Sequence, residues 1–390
     1  MSNAFIPLSV PNFAGNERQY VNDAVVSEWV SSGGSKVAGF EDAVAQYVGA
    51  ARAVACNSGT SGLHLAMLVA GVGPGDEVIV PALTFIAAVN PVRYVGAQPV
   101  FIGCDDSLCI DVDAVETFCR ERCTLENGVL INNGSGRPVK AVEPVHVFGN
   151  LADLDRLMEV AETYHLAVIE DATEALGSFY RAGRYAGRHA GTVGDVGVFS
   201  FNGNKIITTG AGGMVVSRHD GWSAQAKHLS TQAKTDEVYY THDAVGYNYR
   251  MTNLQAALGL AQLEQLEGFV ARKEAVYNQY VARLDGRCGL RMLPFRGDIR
   301  PNRWFFSLYL EDTCPIKRDA LLTALQADGI QTRTIWGLIN DQPPYHSCEA
   351  YALEKARDYH DKVLNIPCST GITDAQVARV CERILGHCSS

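Results

Sequence analysis

Between residues 50 and 220, short β-branched runs alternate with segments of helical period, and no other feature narrows the fold as much. Apolar, strand-like runs fall at 51–56, 77–80, 99–102, 139–146, 167–170, 197–201 and 213–216. Helical spacing separates several of them. One helix opens near Thr60, another covers 85–94, and 152–165 carries Leu154, Leu157, Met158 and Ala161 at steps of three and four. Strands that alternate with helices build a parallel sheet covered on both faces. Ligands of such sheets bind beyond the carboxyl ends of the strands, so the chemistry is sought just after each run.

After Tyr249 the pattern changes. Thr252 and Gln255 form a capping box, and the helix they open is expected to run unbroken to Asp285-Gly286. A strand at 304–310, a helix at 316–328 stopped by Gly329, and a strand at 330–335 follow. A second capping box, Thr373 with Gln376, opens a last helix that Gly386 ends. The expectation is a large, mostly parallel α/β domain over 1–250 with an N-terminal arm. A smaller C-terminal α+β domain over 251–390 would join it through the long helix.

Composition removes several function classes. Hydrophobic residues make up 47% of the 390, enough for a large core, while 33 basic against 43 acidic residues leave a net charge of −10. Nucleic acid is therefore an unexpected partner. The one basic loop, Arg181, Arg184, Arg188 and His189, is broken by Gly and Ala and reads as solvated. No apolar run approaches the roughly 18 residues that would span a bilayer. The N-terminus has neither a basic start nor an apolar signal core, and the eleven cysteines include no C-x-x-C pair. The reading is a cytoplasmic protein with reduced thiols, no metal site and no membrane contact.

Four segments at strand ends carry the chemistry. Asn57-Ser58-Gly59-Thr60-Ser61-Gly62 is a small-residue turn leading into a helix, where backbone amides can meet an anion. It matches neither G-x-G-x-x-G nor the P-loop, so neither NAD nor ATP is favoured. Asp171 ends a buried run; taken alone it reads as a helix cap. Lys205 follows Val198-Phe199-Ser200-Phe201-Asn202-Gly203-Asn204; alone it reads as a surface lysine, but a desolvated one can form an imine. Gly246-Tyr247-Asn248-Tyr249-Arg250-Met251 is polar and aromatic and precedes the long helix. Together, Asp171, Ser200, Lys205 and a phosphate-binding turn are the parts that hold pyridoxal 5′-phosphate (PLP).

The segments NSGTSGLHLA, GDEVIVPALTF, VIEDATEALG, FSFNGNKIITTGAGGM and GYNYRMTNLQAALG occur in that order. In them the chain resembles the DegT/DnrJ/StrS nucleotide-sugar aminotransferases, of the fold-type I, aspartate-aminotransferase-like PLP enzymes. The likeness runs from Ile6-Pro7-Leu8-Ser9 to Ile366-Pro367-Cys368-Ser369. PLSVPN, VSEWVSSGG, PVHVFGN and FNGNKIITTG look closest to the branch that makes the bacillosamine and legionaminic acid precursor. The resemblance implies that Lys205 carries the cofactor and shuttles a proton, and that Asp171 pairs with the ring nitrogen. It gives ring stacking to Phe85 and phosphate binding to Gly59, Thr60 and Ser200. Asn248 would reach the cofactor of a neighbouring subunit, which makes a homodimer with shared sites. Glu174 stands where many relatives have Gln or His near the phenolic oxygen. Ala211 and the 336–340 segment depart from the usual pattern around the substrate.

The function implied is transfer of an amino group from L-glutamate to C4 of a UDP-linked 4-keto-6-deoxy-N-acetylhexosamine, for bacterial surface glycans. A GDP- or dTDP-linked keto sugar aminated at C3 or C4 is the alternative, as is a non-catalytic PLP-binding sensor. Sugar dehydratases on this scaffold replace the lysine with His, and Lys205 is present. A nicotinamide oxidoreductase lacks its glycine motif here.

Overall fold

A computed structural model describes residues 4–236 and 238–389. Among them a ten-stranded sheet dominates, with a hairpin off its main path. Along the path run Ala53–Cys56, Gly213–Ser217, Val196–Ser200, Ala167–Asp171, Pro138–Val142, Glu77–Pro81, Gln98–Ile102 and Ala350–Tyr351. From Val196–Ser200 onward every neighbour on this path is parallel, and Gly213–Ser217 is antiparallel to both of its partners. The sheet is mixed and mostly parallel, as the alternation of strands and helices leads one to expect. Its central strands are buried along their whole length, the signature of a sheet covered on both faces.

Several elements differ from the sequence expectation. The long helix is two: Asn253–Leu263 and Leu266–Leu284. At the break, Gln262 and Gln265 both donate to Glu17 Oε1, at 2.6 and 2.5 Å. Glu17 opens the helix Glu17–Val26, so this tether ties the break to a distant segment. The run at 330–335 is reduced to Arg333–Thr334, with Ile330 bridging Ile6 of the N-terminal arm instead. The last helix, Asp374–Cys388, passes through Gly386. Both capping boxes are formed, at Thr252/Gln255 and Thr373/Gln376.

The C-terminal half forms its own antiparallel sheet, ordered Leu290–Met292, Phe306–Leu310, Val363–Ile366, Arg333–Thr334. It is bound to the large sheet in two ways. Ala350–Tyr351 adds to the edge of Gln98–Ile102, and Asn302 donates from its amide to Glu174 O and Leu176 O, both at 2.9 Å. Residues from both halves therefore face one another across the carboxyl ends of the central strands. Among the described residues no helix is long and apolar enough to cross a membrane.

Candidate active site

At those strand ends lies a cavity of about 350 Å³. Gly59, Thr60, Phe85, Asp171, Glu174, Ser200 and Lys205 all line it. Asn248 does not; it is exposed, bridged to Thr231, and its carbonyl accepts from Asn57 Nδ2 at 3.2 Å.

The phosphate-type turn is built by close approach. Ser58 caps the helix Gly59–Val69, its hydroxyl accepting the Ser61 N–H at 3.0 Å. The first amides of a helix have no intrahelical acceptor, so those of Gly59 and Thr60 remain as donors beside the cavity. A Cβ on Gly59 would stand 2.8 Å from Ser200 Cβ, which is why only glycine lets the helix start reach the strand carrying Ser200.

Asp171 ends Ala167–Asp171 and is 2% exposed. No helix follows, so it is not a helix cap; its Oδ1 accepts Thr173 N–H at 2.9 Å in a tight turn. Burial pushes its carboxyl above the ordinary range, against the Thr173 bonds and the charges of Lys205 and His146. A buried anion that pays this much desolvation is suited to a cation seated in the cavity.

Lys205 stands in a turn after Val196–Ser200, its N–H donating to Asn202 O at 3.0 Å. Its side chain is 12% exposed, with Nζ 3.5 Å from Glu174 Oε1 and 3.9 Å from the centre of the Trp304 ring. Glu174 is fixed from the other side by Phe148 N–H, which donates to Oε2 at 2.8 Å. Burial raises the Glu174 carboxyl to about 7, with Lys205 pulling it down. The two groups are in direct ion-pair contact inside the cavity. Phe85 precedes the helix Ile86–Tyr94 and keeps 53% of its surface exposed, an apolar ring free to cover a flat ligand.

These residues fit PLP: an amine, a buried carboxylate, helix amides with a hydroxyl, and an open aromatic face surround one cavity. The sequence alone did not reveal the roof. Phe148, Trp304, Phe305, Arg333, Trp336 and Asn365 also line the cavity, most of them from the C-terminal half. Trp336, in the segment that departs from the family pattern, packs on Phe148 with ring centres 4.8 Å apart. The basic loop lies elsewhere: Arg184 pairs with Glu162 at 3.3 Å, and Arg188 bonds Thr192 O.

A mostly parallel sheet with this cavity at its carboxyl edge is the fold of the PLP-dependent sugar aminotransferases. The structure aligns with the aminotransferase TlmJ of Streptoalloteichus hindustanus at a TM-score of 0.88 and 26% identity, covering 99% of each chain. The chain belongs to the DegT/DnrJ/EryC1/StrS aminotransferase family, whose profile matches residues 11–385. It is 40% identical over 378 residues to the GDP-perosamine synthase of Caulobacter vibrioides, covering 96% of each. To the GDP-perosamine synthase of Vibrio cholerae it is 36% identical, covering 98% of this chain and 99% of that protein. It is a PLP-dependent nucleotide-sugar aminotransferase. Both of these relatives are named for a GDP-linked sugar, whereas the sequence reading placed the chain nearest the UDP-bacillosamine branch.

Proposed function

We propose that the chain moves an amino group from L-glutamate to C4 of a GDP-linked 4-keto-6-deoxy sugar, in a ping-pong exchange that releases 2-oxoglutarate first. The observation that carries the amino-transfer chemistry is the meeting of Lys205, Glu174 and Asp171 on one cavity. The GDP assignment is supported by the perosamine synthases, and it replaces the UDP-linked N-acetyl sugar as the preferred acceptor.

Bound PLP would act as the electron sink and as the carrier of the amino group. Lys205 holds it and then, freed, moves a proton at the amino-bearing carbon of donor and acceptor alike. Glu174, 3.5 Å from the Lys205 amine, takes or returns the proton that keeps this amine usable. Asp171 holds the ring nitrogen, while Gly59, Thr60 and Ser200 receive the phosphate. Phe85 covers the ring, and Trp304 and Trp336 exclude water from the roof.

The working unit is a homodimer with shared sites, in the cytoplasm. Asn248 is exposed beside the outer side of the phosphate turn, and Phe13, Val26, Trp29 and Tyr94 leave apolar surface open. The test is kinetic. The protein is loaded with PLP, its visible band is followed on adding L-glutamate, and GDP-, UDP- and dTDP-linked 4-keto-6-deoxy sugars are compared as acceptors. Bleaching by glutamate with the highest kcat/KM for the GDP sugar is expected. A preference for the UDP or dTDP sugar overturns the nucleotide assignment, and a band indifferent to every amino donor points to the sensor.

A further inference from the structure

Trp304 is held more completely than a roof residue needs. It precedes the strand Phe306–Leu310 and is 3% exposed. Its N–H donates to Phe148 O and to Asn302 Oδ1, both at 2.9 Å. Its carbonyl accepts from Lys273 Nζ at 2.7 Å and from Cys368 Sγ at 3.5 Å. Its indole N–H donates at 2.5 Å to the carbonyl of Asn204, the residue before Lys205. Lys273 gives the clearest sign that this placement matters. It belongs to the helix Leu266–Leu284 and is buried, and no carboxylate pairs with it among the described residues. Burial pushes its amine below the ordinary range, against the Cys368 thiol. A buried amine without a counter-ion is costly, and this one is directed at Trp304 O.

The indole is thereby aimed at Lys205. The Lys205 Nζ stands 3.9 Å from the ring centre and 3.5 Å from Glu174 Oε1, with its side chain 12% exposed. The ring N–H holds the turn that carries Lys205, and the ring face meets its amine. A cation over an indole is attracted by the ring quadrupole, and more strongly where water is excluded. Excluding water requires neither contact, since any bulky apolar side chain would do it.

We propose that Trp304 is a positioning residue that holds the Lys205 ammonium between proton pick-up and delivery. The proposal rests on the reading of Lys205 as the amine that carries PLP. Once freed, the Lys205 nitrogen takes a proton from the amino-bearing carbon with its lone pair, and the C–H electrons pass into the PLP sink. The resulting ammonium lies beside Glu174 and over the indole face. It then delivers the same proton to the PLP carbon bonded to the amino nitrogen, and the lone pair is restored.

The test changes the charge on the ring face and keeps the ring's shape. Ring-fluorinated tryptophans are placed at position 304 of the full chain, the fluorines added one at a time. Each fluorine weakens the face, and the ring N–H remains. In the apoprotein, acylation of the Lys205 amine by an N-hydroxysuccinimide ester is followed by mass spectrometry of its peptide. The rate should rise step by step, to about 10-fold when the ring is fully fluorinated. In the PLP-loaded enzyme, the single-turnover rate of each half-reaction should fall across the series to about a tenth, while the affinity for L-glutamate holds. The same series at Trp222, in the helix Asp220–Ser230, sets the baseline. Acylation that ignores fluorination overturns the proposal, because the ring does not hold the amine. Graded acylation with unchanged half-reaction rates overturns it as well, because the freed amine does not use that contact. Turnover retained by Lys205→Ala sinks the reading beneath it, whatever the fluorine series shows.

Discussion

Replacing Gly213 with alanine tests how the sheet shapes the site. Gly213 opens the strand Gly213–Ser217 and lies against the turn that precedes the helix Gly59–Val69. An added Cβ would stand 2.4 Å from Ser58 O, 2.6 Å from Ser58 C and 2.8 Å from Gly59 N. Ordinary contact begins at 3.4 Å, and all three atoms are backbone, so the turn must retreat by about 1 Å. Overpacking of this kind costs about 1–3 kcal/mol. The retreat moves the Gly59 and Thr60 amides away from the cavity, so the cost falls on the PLP-bound state more than on the apoprotein. PLP affinity should drop about 10- to 100-fold, by the usual 1.4 kcal/mol per decade. The assay is an absorbance titration of the apoprotein with PLP, paired with thermal unfolding of both forms. Gly221→Ala is the control: its Cβ would meet nothing within 4 Å, inside the helix Asp220–Ser230. That change should leave PLP binding alone and add up to about 1 kcal/mol of stability. Wild-type PLP affinity in Gly213→Ala would refute the claim that this glycine positions the phosphate turn.

Lys205→Ala should fold, as judged by its far-ultraviolet circular dichroism, and lose at least about 100-fold in turnover. The wild type should show a limb of its kcat/KM profile near pH 7, where burial has brought the Glu174 carboxyl, and Glu174→Gln should flatten it. An unchanged limb would remove Glu174 from the proton path. Mixed dimers of Lys205→Ala with Asn248→Ala should regain roughly a quarter of the wild-type sites, because one site of each mixed dimer is intact; no recovery would contradict shared sites. Burial pushes Asp195 up, but bonds from His219, Val168 N–H and Arg218 outweigh it and hold its carboxyl low. A depressed carboxyl stabilises above its unfolded pKa and loses that stability as pH falls. Asp195→Asn should cost about 1–3 kcal/mol at neutral pH, and the difference should close in acid unfolding.

The alternation of strands and helices was legible because buried parallel strands are short apolar runs, and 167–171 and 196–200 fall within two residues of the expected places. Both capping boxes were legible for a local reason: side chain and backbone partner lie three residues apart. What escaped was long-range. The two-residue strand Ala350–Tyr351 has no pattern of its own and exists only through Gln98–Ile102. The hairpin Cys123–Glu126 with Val129–Asn132 is largely exposed on its first strand, so its alternation is weak. At the site, the strand-end residues were found by position, but Trp304 and Trp336 belong to a distant part of the chain that the fold brings overhead.

The pairing of Ala350–Tyr351 with Gln98–Ile102 also bears on synthesis. A Cβ on Gly103 would stand 1.8 Å from Ala352 O, so the late segment seats directly on backbone made some 250 residues earlier, a separation of Phe101 from Ala350 along the chain. Until the ribosome reaches that segment, the edge of the large sheet is an open ladder of amides and carbonyls, a template for unwanted pairing. The same holds for Ile6, which waits for Ile330. The enzyme thus completes its sheet last, and a chain stalled or truncated before residue 350 would carry an adhesive edge rather than a smaller working enzyme.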